Sequence, residues 1–182
     1  MTVNWWYVGG AVAALYIFSE EARAMVGGSR SRLSKEGVDF LAALEGFKLN
    51  PYKDSEGWAT IGIGHLILPK HKFVPGQDQP ITKEEALILF EEDVQRFVDG
   101  ITRLVHVPLA QHELDALVSF AFTLGLGEKG FGGSTLLRQL NAGDRASVPY
   151  EMSRWDNKGS SSAIVRRRLE GQLFALGVYG RR

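Results

Sequence analysis

The chain of 182 residues contains no cysteine. Disulfide stapling and thiol-based switching are therefore excluded, whatever compartment the protein occupies. Excess charge is absent too, because 21 Lys and Arg balance 21 Asp and Glu. Nucleic-acid binders usually carry a strong basic excess, so no nucleic-acid partner is expected. No glycine-rich phosphate loop and no metal-ligand spacing is present. The four histidines, His65, His71, His106 and His112, are scattered, and neither a metal nor a cofactor is expected. No internal repeat or low-complexity run interrupts the chain. A long apolar run is also missing, since the uncharged stretch ending at Phe18 falls short of the roughly 20 residues that span a bilayer. A chain of this length can nevertheless bury a substantial core, as one domain or two closely packed lobes.

What is present is concentrated between Leu44 and His65. Val38, Leu41, Ala42 and Leu44 recur at helical spacing, Ser34 suits an N-cap, and Gly46 suits a C-terminal stop. This predicts a helix ending at Glu45, where the negative end of the helix dipole and the neighbouring Phe47 disfavour ionisation of the carboxyl. A turn and a β-hairpin should follow, carrying Asp54 and Thr60. Asp54 lies between Lys53 and a polar turn, so it should remain ionised. Trp58, Thr60, Gly62 and Gly64 alternate onto one strand face, whose glycines would let a sugar chain approach the backbone. Two carboxyls and a hydroxyl around one bend suit glycoside cleavage. One carboxylic acid protonates the leaving oxygen, and the other carboxylate manages the water or the developing cation.

Residues Glu45, Asp54, Thr60 and Gly62-Ile63-Gly64-His65 closely resemble the catalytic segment of the phage-type lysozymes, the T-even-like endolysins. The resemblance runs from about Ser34 to the C-terminus. Thr82 with Glu85 forms a capping-box pattern opening a long helix near Ile81, like the family's interdomain helix. Ala86, Phe90, Val94, Phe97, Ile101 and Leu104 make its apolar stripe. The Ala116 to Gly125 stretch resembles the buried central helix, and Ser134–Leu137, Ser153-Arg154-Trp155 and Arg166–Glu170 resemble later landmarks. One departure is Thr123 after Phe122, where the family usually has an amide side chain. The Leu66 to Pro80 stretch reads as an irregular connection rather than added machinery. Arg166, Arg167 and Arg168 read either as a solvated helix face or as a rim for acidic wall polymer.

The resemblance implies an α+β, mostly helical fold of two lobes, with the hairpin lobe over residues 29–80 and the helical lobe over 81–182. It implies hydrolysis, with inversion, of the β-1,4 bond between N-acetylmuramic acid and N-acetylglucosamine in peptidoglycan glycan strands. Glu45 would be the acid, while Asp54 and Thr60 would position and activate water. His65 would support them, by orienting the acid or by pairing with a carboxylate. Substrate contacts are expected from Trp58, Gly62, Phe122, Thr123 and Arg154. Two rivals are a lytic transglycosylase, which needs no water-activating pair, and a catalytically silent wall-binding protein.

Residues 1–28 form a separate expectation. Val3, Val8, Val12, Leu15, Ile17 and Phe18 contribute roughly −0.3 to −0.6 kcal/mol each, about −2 to −4 kcal/mol together, so insertion is marginal. Weak insertion of residues 3–18 into the host inner membrane resembles a signal-arrest-release anchor, with Gly27-Gly28-Ser29 as a hinge. The released enzyme would act in the periplasm as a monomer. Ala22-Arg23-Ala24 also fits a signal-peptide cleavage pattern. A third reading is a helix of a cytoplasmic enzyme awaiting a membrane pore. Arg23, Arg30, Arg32 and Lys35 follow the segment and no Lys or Arg precedes it, a bias that favours retention of the C-terminal side in the cytoplasm.

Overall fold

The computed structural model describes residues 31–54 and 56–180. The anchor and its alternatives concern residues outside this range. The described chain is α+β and mostly helical, with a small antiparallel sheet preceding a set of helices.

Helix α1 (Lys35–Glu45) starts at Ser34, whose side chain accepts from the Gly37 N–H, and stops at Gly46, where φ is 81°. The predicted boundaries agree because both ends carry residues suited to them: a hydroxyl for an orphan N–H, and a glycine for positive φ. Strands β1 (Lys48–Lys53), β2 (Ala59–Gly62) and β3 (His65–Leu66) form a sheet in the order β1-β2-β3. Tyr52 pairs with Thr60 and Ile61 with His65. The turn between β1 and β2 carries Asp54, as the hairpin pattern predicts.

Helix α2 (Lys83–Leu104) is capped by Thr82, and the Thr82–Glu85 capping box is complete, with bonds of 3.1 and 2.8 Å. Its expected stripe is buried at Ala86, Phe90, Val94, Phe97 and Ile101, whereas Leu104 is only half-buried. Helix α3 (Gln111–Leu124) follows and is buried along every position from Glu113 to Ala121. A helix apolar on nearly all sides belongs in the middle of a core. Helices α4 (Thr135–Asn141), α5 (Val148–Ser153) and α6 (Ser161–Leu176) close around it. Leu117, Phe120, Leu136, Leu140, Met152 and Leu173 are essentially inaccessible. Each such side chain contributes about 1.5–3 kcal/mol by burial.

Two sequence expectations are corrected by the packing. Gly62 does not merely bare a strand for sugar. With φ at 66°, its absent side chain would sit 3.3 Å from the Ala86 Cβ, so its smallness admits helix α2. Strand β2 is covered at all four positions, and the alternation of an open and a closed face is lost. The second correction concerns Arg166 and Arg167. They are 8% and 4% exposed, so neither a solvated face nor a polymer-binding rim describes them; only Arg168 of the three is exposed.

Candidate active site

Glu45 is the last residue of α1, and the helix aims its half-buried carboxyl into a cleft of about 540 Å³. Tyr52, Gly62, His65, Asp93 and Phe122 line the same cleft. Besides apolar cleft neighbours such as Ile63 and Phe122, a charged donor meets the carboxyl. Arg166 Nη1 donates to Glu45 Oε1 at 2.7 Å. Arg166 is itself fixed, with Nε donating to Glu170 Oε1 at 3.0 Å and Nη2 to the Ser119 carbonyl at 3.3 Å. Glu170 is wholly buried and also accepts from Ser119 Oγ at 2.7 Å and from Arg167 Nη1. Burial pushes the Glu170 carboxyl up, and the two guanidiniums oppose that push. These connected donors and acceptors hold Arg166 and Glu170 in one geometry, although Arg167 Nε is buried without a partner among the described residues.

The other end of α1 is pinned by Asp115, which is 1% exposed. Its carboxylate accepts from the Ser34 N–H at 3.1 Å, Tyr179 OH at 2.7 Å and Gln111 Nε2 at 2.8 Å, and from Ser34 Oγ. The helix that presents Glu45 is therefore anchored at both ends by buried polar groups. Desolvation, with the Asp115 carboxylate adding to it, pushes the Tyr179 hydroxyl up to about 12.

Asp54 sits in a turn closed on itself. Its Oδ1 accepts from the Glu56 N–H at 2.9 Å and the Trp58 N–H at 2.8 Å. These backbone donors, led by Trp58, hold the carboxyl below its ordinary range, and Lys72 adds a favourable charge. Ionised Asp54 thus agrees with the sequence reading. Thr60 is 3% exposed, and its hydroxyl donates to the Trp58 carbonyl at 3.3 Å. Asp54 N–H donates to that same carbonyl at 3.1 Å. Trp58 therefore links Asp54 and Thr60 through its main chain. Neither residue is among those lining the 540 Å³ cleft, whose acidic members are Glu45 and Asp93.

His65 Nδ1 lies 2.9 Å from Asp93 Oδ2, and this bond raises the imidazole above its ordinary value. The histidine contacts a carboxylate of α2 rather than Glu45. Phe122 packs against Phe90 and Phe97, with centroids 5.6 and 5.2 Å apart, and still borders the cleft. Trp58 carries Lys70 and Lys72 ammonium groups 4.0 and 3.5 Å from its ring centroid. Thr123 accepts from Arg167 Nη2 at 2.6 Å and donates to the Phe120 carbonyl at 3.1 Å, which occupies the hydroxyl that stands where an amide was expected. Arg154 pairs with Glu151 at 3.1 Å and lines a second cavity, of about 730 Å³, with Thr123, Trp155 and Arg166. The Arg166–Glu45 pair joins a residue of this cavity to a residue of the first.

Sequence reasoning missed Glu170 and Ser119 as supports, Asp93 as the partner of His65, and Asp115 as the anchor of α1. The spacing of Arg166 and Arg167 to Glu170, four and three residues on one helix, was a readable ion-pair signal. Asp115 gave less, because only Gln111, four residues before it on α3, is local, while Ser34 and Tyr179 are distant in the chain.

The phage lysozyme family model matches residues 42–170, a span that contains Glu45, Asp54, Thr60 and Arg166. An endolysin of Bacillus phage B103 is 37% identical over 80% of this chain and 54% of its own length. The chain thus spans about half the length of the Bacillus phage relatives it matches. A SAR-endolysin of Escherichia phage Mu is 35% identical over 63% of each chain. Among solved structures, the endolysin of Escherichia coli O157:H7 phage FAHEc1 superposes with a TM-score of 0.72 at 32% identity, covering 85% of this chain and 99% of that one. The match extends well beyond the hairpin motif, into the helix that carries Arg166 and Glu170, and on this basis the chain belongs to the phage lysozyme family.

Proposed function

We propose that this chain is an endolysin that hydrolyses the β-1,4 bond between N-acetylmuramic acid and N-acetylglucosamine in peptidoglycan, and so lyses the host cell. The observation that carries the reading is Glu45, presented to a cleft at the end of an anchored helix and held by Arg166. Arg166 engages Oε1, which leaves Oε2 to carry the proton given to the glycosidic oxygen. When that proton leaves, the guanidinium is already placed to stabilise the carboxylate that forms.

Asp54 supplies the complementary group. Its Oδ1 is committed to two backbone N–H groups, so Oδ2 is available to take a proton from water as the water oxygen bonds to the anomeric carbon. The Thr60 hydroxyl donates to the Trp58 carbonyl, and its oxygen can still accept from that water. The glycosidic bond breaks toward the oxygen protonated by Glu45, giving inversion. An inverting geometry calls for carboxyls roughly 6.5–9.5 Å apart when substrate is bound. His65, Trp58, Gly62, Phe122, Thr123 and Arg154 are proposed to border or support the glycan.

Residues 1–28 are proposed to act as a releasable anchor to the inner membrane, with action in the periplasm after release. The resemblance to a SAR-endolysin of phage Mu supports this. Fractionation of cells expressing the full chain and a chain without residues 1–28 tests it, since export that persists without the segment contradicts an anchor. The catalytic reading is tested by digesting purified peptidoglycan with the full chain and its Glu45→Gln variant, then identifying the new sugar ends.

A further inference from the structure

The connection from Leu66 to Pro80, marked as irregular by its prolines and glycine, is built into the hairpin. Beyond β3, the Ile67 N–H donates to the Ala59 carbonyl at 3.0 Å. After an interruption at 68–70 the same edge resumes. Ala59 N–H donates to the His71 carbonyl at 3.0 Å, Phe73 N–H donates to the Gly57 carbonyl at 3.1 Å, and Trp58 pairs with Lys72 in an antiparallel bridge. His71 closes the interruption from both sides. Its Nδ1 lies 2.8 Å from the Pro69 carbonyl and its Nε2 lies 3.0 Å from Asp78 Oδ2. Both partners are acceptors, so both ring nitrogens are satisfied only as donors, in the imidazolium form.

This clamp fixes the main chain from which Lys72 projects, and Lys72 reaches the turn that carries Asp54. Its Nζ donates to the Glu56 carbonyl at 2.9 Å and lies 3.5 Å from the Trp58 ring centroid. Glu56 and Trp58 are the two residues whose N–H groups hold Asp54 Oδ1. One ammonium therefore grips both flanks of the carboxylate's cradle. A surface lysine on a mobile backbone has little such hold, because ordering it costs entropy that a solvated contact barely offsets. Here main-chain bonds at His71 and Phe73 flank Lys72, so only the side chain remains to be ordered. The Glu56 carboxylate is turned to Trp58 Nε1, 3.1 Å away. Lys70 also lies over the Trp58 ring, 4.0 Å from its centroid, but has no bond to the turn's backbone among those described.

We propose that Lys72 is a positioning residue for Asp54, holding the Glu56–Trp58 cradle from a strand that the His71 clamp keeps in place. The proposal rests on the role given to Asp54 in the hydrolysis above. It is tested in the full chain with two readouts, the Asp54 carboxylate titration by carbon-detected NMR and kcat and KM on soluble glycan fragments.

Lys72→Met is expected to raise the Asp54 pKa and to lower kcat by about three- to tenfold, with KM changed by less than about twofold. Lys72→Arg, which can also donate to a carbonyl and stack on an indole, should restore both readouts. Lys70→Met should move neither. Lys72 is exposed, and an unchanged amide spectrum away from the hairpin will show that the variants fold. Lys72→Met with the wild-type Asp54 titration, or with the wild-type kcat, overturns the proposal. If the unaltered chain cuts no glycan, the hydrolase reading fails separately. The titration alone then decides whether Lys72 holds Asp54, and an unshifted value overturns that hold.

Discussion

Arg166 and Glu45 stand 121 positions apart in the chain, and their side chains meet at 2.7 Å. The contact ties α6 to the end of α1 and makes Glu45's position depend on a buried ionic set. Removing one partner of a buried pair leaves charge uncompensated, which typically costs about 3–5 kcal/mol. Arg166→Met leaves Glu170 still paired with Arg167, and should therefore destabilise the fold by at most about that amount, read by urea unfolding. It should also lower kcat at a temperature where the variant remains folded. An active, equally stable variant would contradict the positioning of Glu45 by Arg166.

Gly37 offers a test of the other end of α1. Alanine in a helix interior is ordinarily better than glycine by about 1 kcal/mol. A Cβ at this position would lie 2.5 Å from Asp115 Cγ, against the buried carboxylate that fastens Ser34 and Tyr179. Gly37→Ala should thus destabilise by about 1–3 kcal/mol, as overpacking does. Denaturant midpoints for the two proteins check the sign.

The His65–Asp93 bond makes stability depend on pH. The folded pKa of His65 is raised above the ordinary imidazole value, chiefly by its hydrogen bond to Asp93. A raised folded value means the contribution is complete below the unfolded pKa and disappears as pH rises through the folded one. Asp93 is more than a third exposed, so solvent screening limits the contribution to about 1 kcal/mol. Across the pH range from below the unfolded His65 pKa to above the folded one, the native chain should lose about that much more unfolding free energy than Asp93→Asn.

Thr60 separates chemistry from packing. It is buried, and its hydroxyl makes one bond, to the Trp58 carbonyl. Thr60→Val keeps the shape and removes the group that would accept from the attacking water. The variant should fold with the native spectrum and lose roughly tenfold in kcat, the size of one lost hydrogen bond to the water. Thr60→Ser should recover much of that loss.

Elements with their own end signals were legible in the sequence. Ser34 and Gly46 bound α1, and Thr82 with Glu85 opens α2, because capping is written in neighbouring residues. The hairpin and the ionised state expected of Asp54 were also local, since the donors to its carboxylate come from two and four residues on. What escaped was non-local. Asp115 fastens Ser34 and Tyr179, which lie 81 and 64 positions away. Arg166 and Arg167 resemble a basic surface until Glu170 is placed between them in the interior. The 66–80 connection reads as a loop because its order comes from bonds to Gly57 and Ala59 and from the His71–Asp78 contact, none of which has a periodic signature.

Glu45 is proposed to act as the acid in hydrolysis of a muramic acid linkage. The most direct measurement is mass analysis of the sugar ends released from purified peptidoglycan by the full chain and by its Glu45→Gln variant. New reducing N-acetylmuramic acid ends from the native chain, absent with the variant, are the predicted result. Anhydro-muramic ends would contradict hydrolysis, and equal cleavage by the variant would contradict Glu45 as the acid.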